Sequence, residues 1–282
     1  MLDINNPEHA EMVRYLNYMV RTYERVTDMI VATKNCLKTT NPDVEAKHDA
    51  LLQGEGRGEG LESLKNRLAR KIEKELQFFP IYTEWMKHVP GMGTYTSAGL
   101  ILLYYYRFVP SCKKCLTPLL KQEGTYWCET CQKSAKGDGN LTFTIQLKDF
   151  RNIGKWWAYL GMHCDDEGRK PKRKKGTQVT WSPKGRKIGY YMGDQVAKQK
   201  KGPYYDFYQE RLKKREKTHP DATAFHRKNM AKNETAKLML AHFWTVARTL
   251  DAKPVTAPYA QTIMGHTGII DPFYFDINEK AA

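Results

Sequence analysis

The chain has 282 residues, 41% of them hydrophobic, a net charge of +15 and six cysteines. That apolar share suffices for a packed core and excludes a disordered chain. No run of about 18 apolar residues exists, which excludes a membrane-spanning helix. The length fits one large domain or two to three small ones.

The charge is concentrated. Arg169 to Lys237 holds 21 Lys or Arg and 6 Asp or Glu, and the other residues cancel. Such a footprint suits a polyanion, either a phosphate backbone or an anionic membrane. With no anchor and no lipid-facing amphipathic helix, nucleic acid is the expected partner and a membrane is not. The opening residues carry no charged-then-apolar signal pattern, and four of the cysteines pair as metal-ligand motifs rather than as a disulfide framework. An intracellular, cytoplasmic protein is expected.

In chain order, Asn6-Pro7 reads as an N-cap followed by proline at the first helical position, with Glu8 and Glu11 in the first turn. Val13, Leu16, Val20, Tyr23, Met29 and Ile30 recur at helical spacing to about Lys38, and Asn41-Pro42 breaks the pattern. Gly54 to Gly60, with four glycines in seven residues, is a flexible linker. A second helix carries Leu61, Leu64, Leu68, Ile72 and Leu76. Two long amphipathic helices joined by a loose loop predict an antiparallel coiled arm over 1–80, with a face that also serves a homodimer.

Residues 81–110 predict a helix-hairpin-helix-like element. A short helix from Tyr82 to Lys87 enters the turn Pro90-Gly91-Met92-Gly93, where glycine permits positive φ or close approach. Thr94 suits an N-cap, with Ala98 and Ile101 inward in the following helix. Backbone N–H groups at such a turn can converge on an anion, so Gly91, Gly93 and Thr94 are candidate phosphate contacts. The alternative is a tight helix connection that binds nothing.

Cys112-Lys-Lys-Cys115 and Cys128-Glu-Thr-Cys131 are separated by twelve residues. Two such knuckles place four thiolates around one Zn²⁺, and the spacer, with Pro118, Gly124, Tyr126 and Trp127, predicts a small zinc ribbon of short strands over 111–146. A closed four-cysteine site leaves no position for a substrate, so the zinc is read as structural. Cys36 and Cys164 are left over as ordinary thiols.

Residues 147–252 predict a basic helical domain. Lys148 to Leu160 reads as a helix with Phe150, Ile153, Trp157 and Leu160 inward. After a loop, Arg169 to Gly176 holds six basic residues in eight, and no acid occurs before Lys187. Lys170, Lys172, Arg173, Lys174, Lys175, Lys184, Arg186 and Lys187 are candidate phosphate clamps, and Trp181 a candidate base stacker. Helices follow over Ile188–Lys201, Tyr204–Lys217 and Phe225–Leu250, the last with Met230, Leu238, His242, Val246 and Leu250 on its buried side. The tail, 253–282, is expected to pack over the body.

The order of these motifs resembles the C-terminal half of the bridge recombinases, the insertion-sequence transposases that include Piv-type DNA invertases. The matching residues are Pro90-Gly91-Met92-Gly93 with Ala98, then Ala158-Tyr-Leu-Gly-Met162, then Ser182-Pro-Lys-Gly185. Phe207-Tyr208 with Leu212, and then His226, Lys237, Leu240, Trp244 and Arg248, complete the series. The family's RuvC-like domain has no counterpart here, and its nucleophilic serine falls in a loop that reads His163-Cys-Asp-Asp-Glu-Gly-Arg169. No catalytic residue is therefore assigned; Cys164 and Ser182 are the alternatives to test.

The layout of arm and helical domain is also similar to the Nop domain of box C/D ribonucleoproteins and to the Tas proteins of tandem interspaced guide RNA systems. The cysteine motif lacks the histidines of an HNH nuclease. The resemblance implies a mainly α protein with a Nop- or transposase-like domain. It implies a nuclease-free subunit that binds a structured guide RNA and, through it, target DNA, with a separate nuclease as an optional partner, in a prokaryote, phage or mobile element. A divergent DNA recombinase and an RNA-independent DNA binder are the competing expectations.

Overall fold

The structure, a computed structural model, describes residues 1–37, 49–54, 56, 58–122, 125–134, 140–164, 168–173, 175–256 and 270–275. The break expected at Asn41-Pro42, Glu55 and Arg57 of the linker, Gly124, Lys174 and most of the tail lie outside the described residues. The protein is mainly helical. No helix among the described residues is long and apolar enough to cross a membrane.

Helix α1 (Pro7–Leu37) starts where the sequence places it, with the Asn6 side chain accepting the Glu8 N–H at 2.9 Å. It packs antiparallel on α2 (Gly60–Leu76): Lys34 near the end of one meets Glu62 near the start of the other at 2.5 Å. The pair is stitched by two separate apolar groups. Val13, Leu16 and Val20 with Ile72 and Leu76 belong to the main core. Val26, Ile30, Leu52 and Leu68 form a satellite cluster at the far end.

The short first helix of the expected hairpin is cut in two. Helix α3 (Pro80–Glu84) stops at Trp85, whose φ of −137° leaves the helical range, and a 3₁₀ turn follows over Met86–His88. The Trp85 indole N–H donates to the Pro272 carbonyl at 2.7 Å, so a tertiary contact holds the break. Helix α4 (Thr94–Tyr105) is buried on every side from Thr96 to Leu102, not only at Ala98 and Ile101. A helix apolar all round belongs at the centre of a fold, and α4 is that centre, packed on α1, α2 and α6 (Pro183–Gln199).

Strand β1 (Tyr106–Cys112) grows directly out of α4 and pairs antiparallel with β5 (Leu141–Leu147), with Tyr106 opposite Leu147 and Cys112 opposite Leu141. Pro110 is tolerated because this two-stranded ladder consists only of edges. Between them β2 (Leu120–Gln122), β3 (Thr125–Cys128) and β4 (Lys133–Ser134) form a small antiparallel sheet. The Lys148 N–H then bonds the Tyr105 carbonyl at 2.8 Å, and its amine donates to the Leu103 carbonyl and to the Tyr159 hydroxyl. Those tethers keep residues 148–152 out of the expected helix, so α5 (Ile153–Tyr159) starts later, capped by the Asn152 side chain. Its fully buried side chain is Trp156, whereas Trp157 lies half-buried beneath Lys237.

The last three helices close the core. Helix α6 begins at Pro183, five residues before the expected start, because Ser182 caps it by accepting the Gly185 N–H at 3.0 Å. Gly185, Gly189 and Gly193 line one face of α6. A Cβ on Gly193 would lie 2.3 Å from the Lys232 carbonyl, so the side chain must be absent for α6 to meet α8 (Ala224–Leu250). Helix α7 (Pro203–Thr218) packs on α8. Trp85, Trp156, Trp244, Phe243 and Tyr104 to Tyr106 fill the centre. Leu250, expected inside, is 38% exposed at the end of α8, beyond the reach of that packing. Within the tail, Ile270 and Phe273 to Phe275 pack on the core as expected.

Candidate functional site

The four paired cysteines converge. The Sγ atoms of Cys112, Cys115, Cys128 and Cys131 all lie within 4.8 Å of one another, with Cys115 and Cys128 at 3.4 Å and Cys112 and Cys131 at 3.9 Å. A tetrahedron with metal–sulfur bonds of about 2.3 Å separates its sulfurs by about 3.8 Å, so this group can hold a metal ion. Each pair folds the same way: the residue after its second cysteine, Leu116 (φ 58°) or Gln132 (φ 51°), turns left-handed. Non-glycine residues resist that region by roughly 1–2 kcal/mol, so both turns are strained and need something to hold them.

The thiols also differ in acidity. The hydroxyl and N–H of Thr117 draw Cys115 down to about 6, while hydrogen bonding to Cys115 drives Cys131 up to about 12. Four thiolates this close cannot all ionise on their own, and a dication removes that conflict. Lys113 and Lys114 stand exposed beside the group.

The basic stretch divides into cations already paired within the fold and cations that face solvent. Lys184 bonds Glu24 at 3.1 Å, Lys198 and Lys232 clasp Asp194 at 2.7 Å each, and Arg211 and Arg215 share Glu234. Arg186 spends its guanidinium on the carbonyls of Gly161 and Pro171. It also covers the Trp181 ring at 3.9 Å, and Trp181 is only 9% exposed. Trp181 and Arg186 thus form an internal brace: the expected base stacker has little free face, and the expected clamp is already committed. Lys170 is half-buried, and burial with Arg186 alongside lowers its amine to about 8.

Lys172, Arg173, Lys175 and Lys187 are exposed and have no carboxylate partner among the described residues. Lys200, Lys201, Lys213, Lys214, Lys217 and Lys228 share that condition, although none was among the candidate contacts. Lys200, Lys201 and Lys228 carry a readable signal, the lack of an acid three or four positions away, whereas Lys213 and Lys214 have Glu210 or Glu216 at that spacing and only the structure shows them unpaired.

The glycine turn reaches the same region. Gly91 takes φ +94°, and a Cβ there would meet the Val196 side chain at 2.9 Å. Its N–H donates to Gln199 Oε1 at 3.1 Å, and the Met92 N–H to the Val89 carbonyl. Gly91 therefore docks the turn onto α6 and does not offer its N–H to a ligand. Gly93, not Thr94, is the N-cap residue, with φ −70° and no side-chain cap bond.

Gly93 and Thr94 do border a cleft of about 440 Å³ between the α1–α2 pair and α6. From α1 and α2 come Tyr23, Glu24, Thr27, Lys65 and Ala69, and from α6 come Lys187, Tyr191, Gln195 and Gln199. Of the expected contacts, the fold brings together Gly93, Thr94 and Lys187. The α6 residues recur every fourth position, a periodic signal present in the sequence. Lys65 and Tyr23 come from segments whose proximity only the tertiary structure reveals. Within the cleft Tyr95 donates to Glu24 at 2.6 Å and stacks on Tyr23 at 5.3 Å.

Comparison with protein-family models finds no match, and comparison with curated proteins finds none either.

Proposed function

We propose that the protein binds nucleic acid through its basic helical half, as a nuclease-free subunit that holds a structured guide RNA and addresses DNA through base pairing. The observation that carries the reading is the set of exposed cations without acid partners among the described residues, from Lys172 in the loop to Lys228 at the start of α8. Charges that served the fold would be paired like Lys232 and Asp194. Unpaired ones repel each other and persist where a polyanion completes them. In such complexes the protein grips backbone and shape, and base pairing supplies sequence choice. The motif order along the chain supports RNA as the polymer.

In this reading the α1–α2 pair is the coiled arm, which also serves a homodimer. The cysteine module is a zinc ribbon whose Zn²⁺ is structural: all four donors come from the chain, and they tie together a segment with almost no core of its own. Zinc here fixes the orientation of Lys113 and Lys114. The chain's own residues take no chemical step. Ser182 is occupied as a helix cap.

The test is to purify the protein at low salt, extract what comes with it, digest halves with RNase and DNase, and sequence the survivor. A discrete RNA of uniform length supports the reading. Heterogeneous DNA or no nucleic acid overturns the guide-RNA part, and a protein–DNA covalent link at Cys164 or Ser182 makes the protein a recombinase instead.

A further inference from the structure

The cleft between the α1–α2 pair and α6 has a composition that the basic face alone does not explain. Its lysines come from opposite walls: Lys65 from α2 and Lys187 from α6, neither with a carboxylate partner among the described residues. Each instead lies near a tyrosine ring, Lys65 at 5.6 Å from Tyr23 and Lys187 at 5.8 Å from Tyr191. The one carboxylate lining the cleft, Glu24, is held by two internal donors, the Tyr95 hydroxyl at 2.6 Å and Lys184 at 3.1 Å. The cleft therefore presents cations and aromatic surface, with its single acid offset.

Two amides add a different chemistry. Gln195 makes no hydrogen bond among the described residues, and Gln199 uses only its carbonyl oxygen, toward the Gly91 N–H. A free amide offers a donor and an acceptor together, the pair needed to read a base edge. Lys187 also borders a second hollow with Lys170, Tyr190 and Asn233, so the cleft opens onto the basic surface and does not end blind. The stripe Lys187, Tyr191, Gln195, Gln199 runs about 18 Å along α6.

Resting on the nucleic-acid reading above, we propose that this cleft is a single-strand site: it takes an unpaired nucleotide, its phosphate between Lys65 and Lys187 and its base against the tyrosines and Gln195. The volume of about 440 Å³ lies within the range of small-molecule pockets, about 300–1,000 Å³, which suits one nucleotide and no duplex. Bases inside a duplex present no face to a ring; an unpaired base does, and aromatic platforms beside a cationic track are the usual way to hold one. The assignment gives the α1–α2 pair, outside the basic quarter of the sequence, a direct part in binding.

The experiment uses the full-length, zinc-loaded protein freed of nucleic acid by high salt. Binding of a labelled 12-nucleotide single-stranded RNA and of a 16-base-pair RNA duplex is measured for the parent, Lys65→Glu, Gln195→Ala and the Arg173→Ala/Lys175→Ala pair. A 4-thiouridine version of the single strand is photocrosslinked and mapped by mass spectrometry. Crosslinks at Tyr23, Tyr95 or Tyr191, and a roughly tenfold weaker single-strand affinity in Lys65→Glu with duplex affinity unchanged, are expected. Gln195→Ala, a change of one polar side chain on α6, serves as the variant least able to disturb folding and should weaken the single strand by about threefold.

Crosslinks confined to other surfaces, with Lys65→Glu and Gln195→Ala at parental affinity, overturn the cleft assignment while loss of binding in Arg173→Ala/Lys175→Ala keeps the basic face. An equal loss for single strand and duplex in Lys65→Glu also overturns it. Absence of binding by the parent protein to either RNA overturns the guide-RNA reading on which the cleft assignment rests.

Discussion

Two regions of this molecule are held together by different physics. Around α4, three tryptophans and a run of tyrosines are buried to 2% exposure or less, and the helices pack on that apolar centre. Beyond the β1–β5 ladder the buried hydrophobic cluster among the described residues shrinks to Cys112, Leu119 and Cys128, with Cys115, Tyr126, Cys131 and Leu141 partly covered. Two of its three buried residues are candidate ligands. A region this small cannot bury enough apolar surface to fix itself, so its sulfurs must also serve as its core. The body is held by solvent exclusion, whereas the module is built around four cysteines that can hold a metal ion.

Removing the metal should divide the two most sharply. Chelation of the zinc-loaded protein, or Cys128→Ser, is expected to take zinc from one per chain to none and to strip amide-exchange protection from 112–134. Structural zinc binding is worth about 10–16 kcal/mol in zinc-finger peptides. Far-UV circular dichroism of the helices should hardly change; a body that melts with the module would break the comparison. Next in size, Trp156→Ala should cost the body about 3–5 kcal/mol in urea unfolding while zinc content stays at one. A loss of zinc in that variant would show that the module leans on the core.

A third effect belongs to the body alone. Burial holds His242 down to about 4, against a smaller opposing pull from Asp271, and the Tyr204 hydroxyl lies 2.7 Å from its Nδ1. Its folded pKa is depressed, so the stability it gives is complete above about 6.5. That stability is lost as pH falls toward 4, when the unfolded chain takes a proton that the folded chain refuses. A drop of roughly 2–3 kcal/mol across that window is expected, and His242→Gln should flatten the profile. The smallest effect returns to the module: Leu116→Gly or Gln132→Gly should relieve roughly 1 kcal/mol of left-handed strain, read as tighter zinc retention against a competing chelator.

Much of the framework could be read from the chain because local chemistry decided it. Asn6-Pro7, the leucine repeat from Leu61 to Leu76 and the two cysteine pairs each carry their own geometry in a few adjacent residues. The readings that failed were those in which a distant partner intervened. The helix expected from Lys148 was delayed by a tether to Leu103 and Tyr105. The helix from Tyr82 was broken by an indole bonded to Pro272, 187 positions away. Trp181 looked like a free ring in a charged loop until Arg186 and Gly161 closed over it. At the candidate sites the cysteines converged because spacing suffices for a knuckle. Gly91 turned toward Gln199 because the nearest acceptor belonged to the fold. Lys65 could not have been foreseen, since periodicity says which face of α2 is apolar and not which helix lies across from its other side.

The ladder that carries the cysteine module has one more implication. Its two strands leave and re-enter the body side by side, Tyr106 against Leu147, through seven matched rungs. Among the described residues, what lies above Cys112 and Leu141 joins the helices through those rungs. In those residues the module reaches the helical body by one route, which is the arrangement of a cassette. A hairpin closing the ladder directly would leave the same helices beneath it.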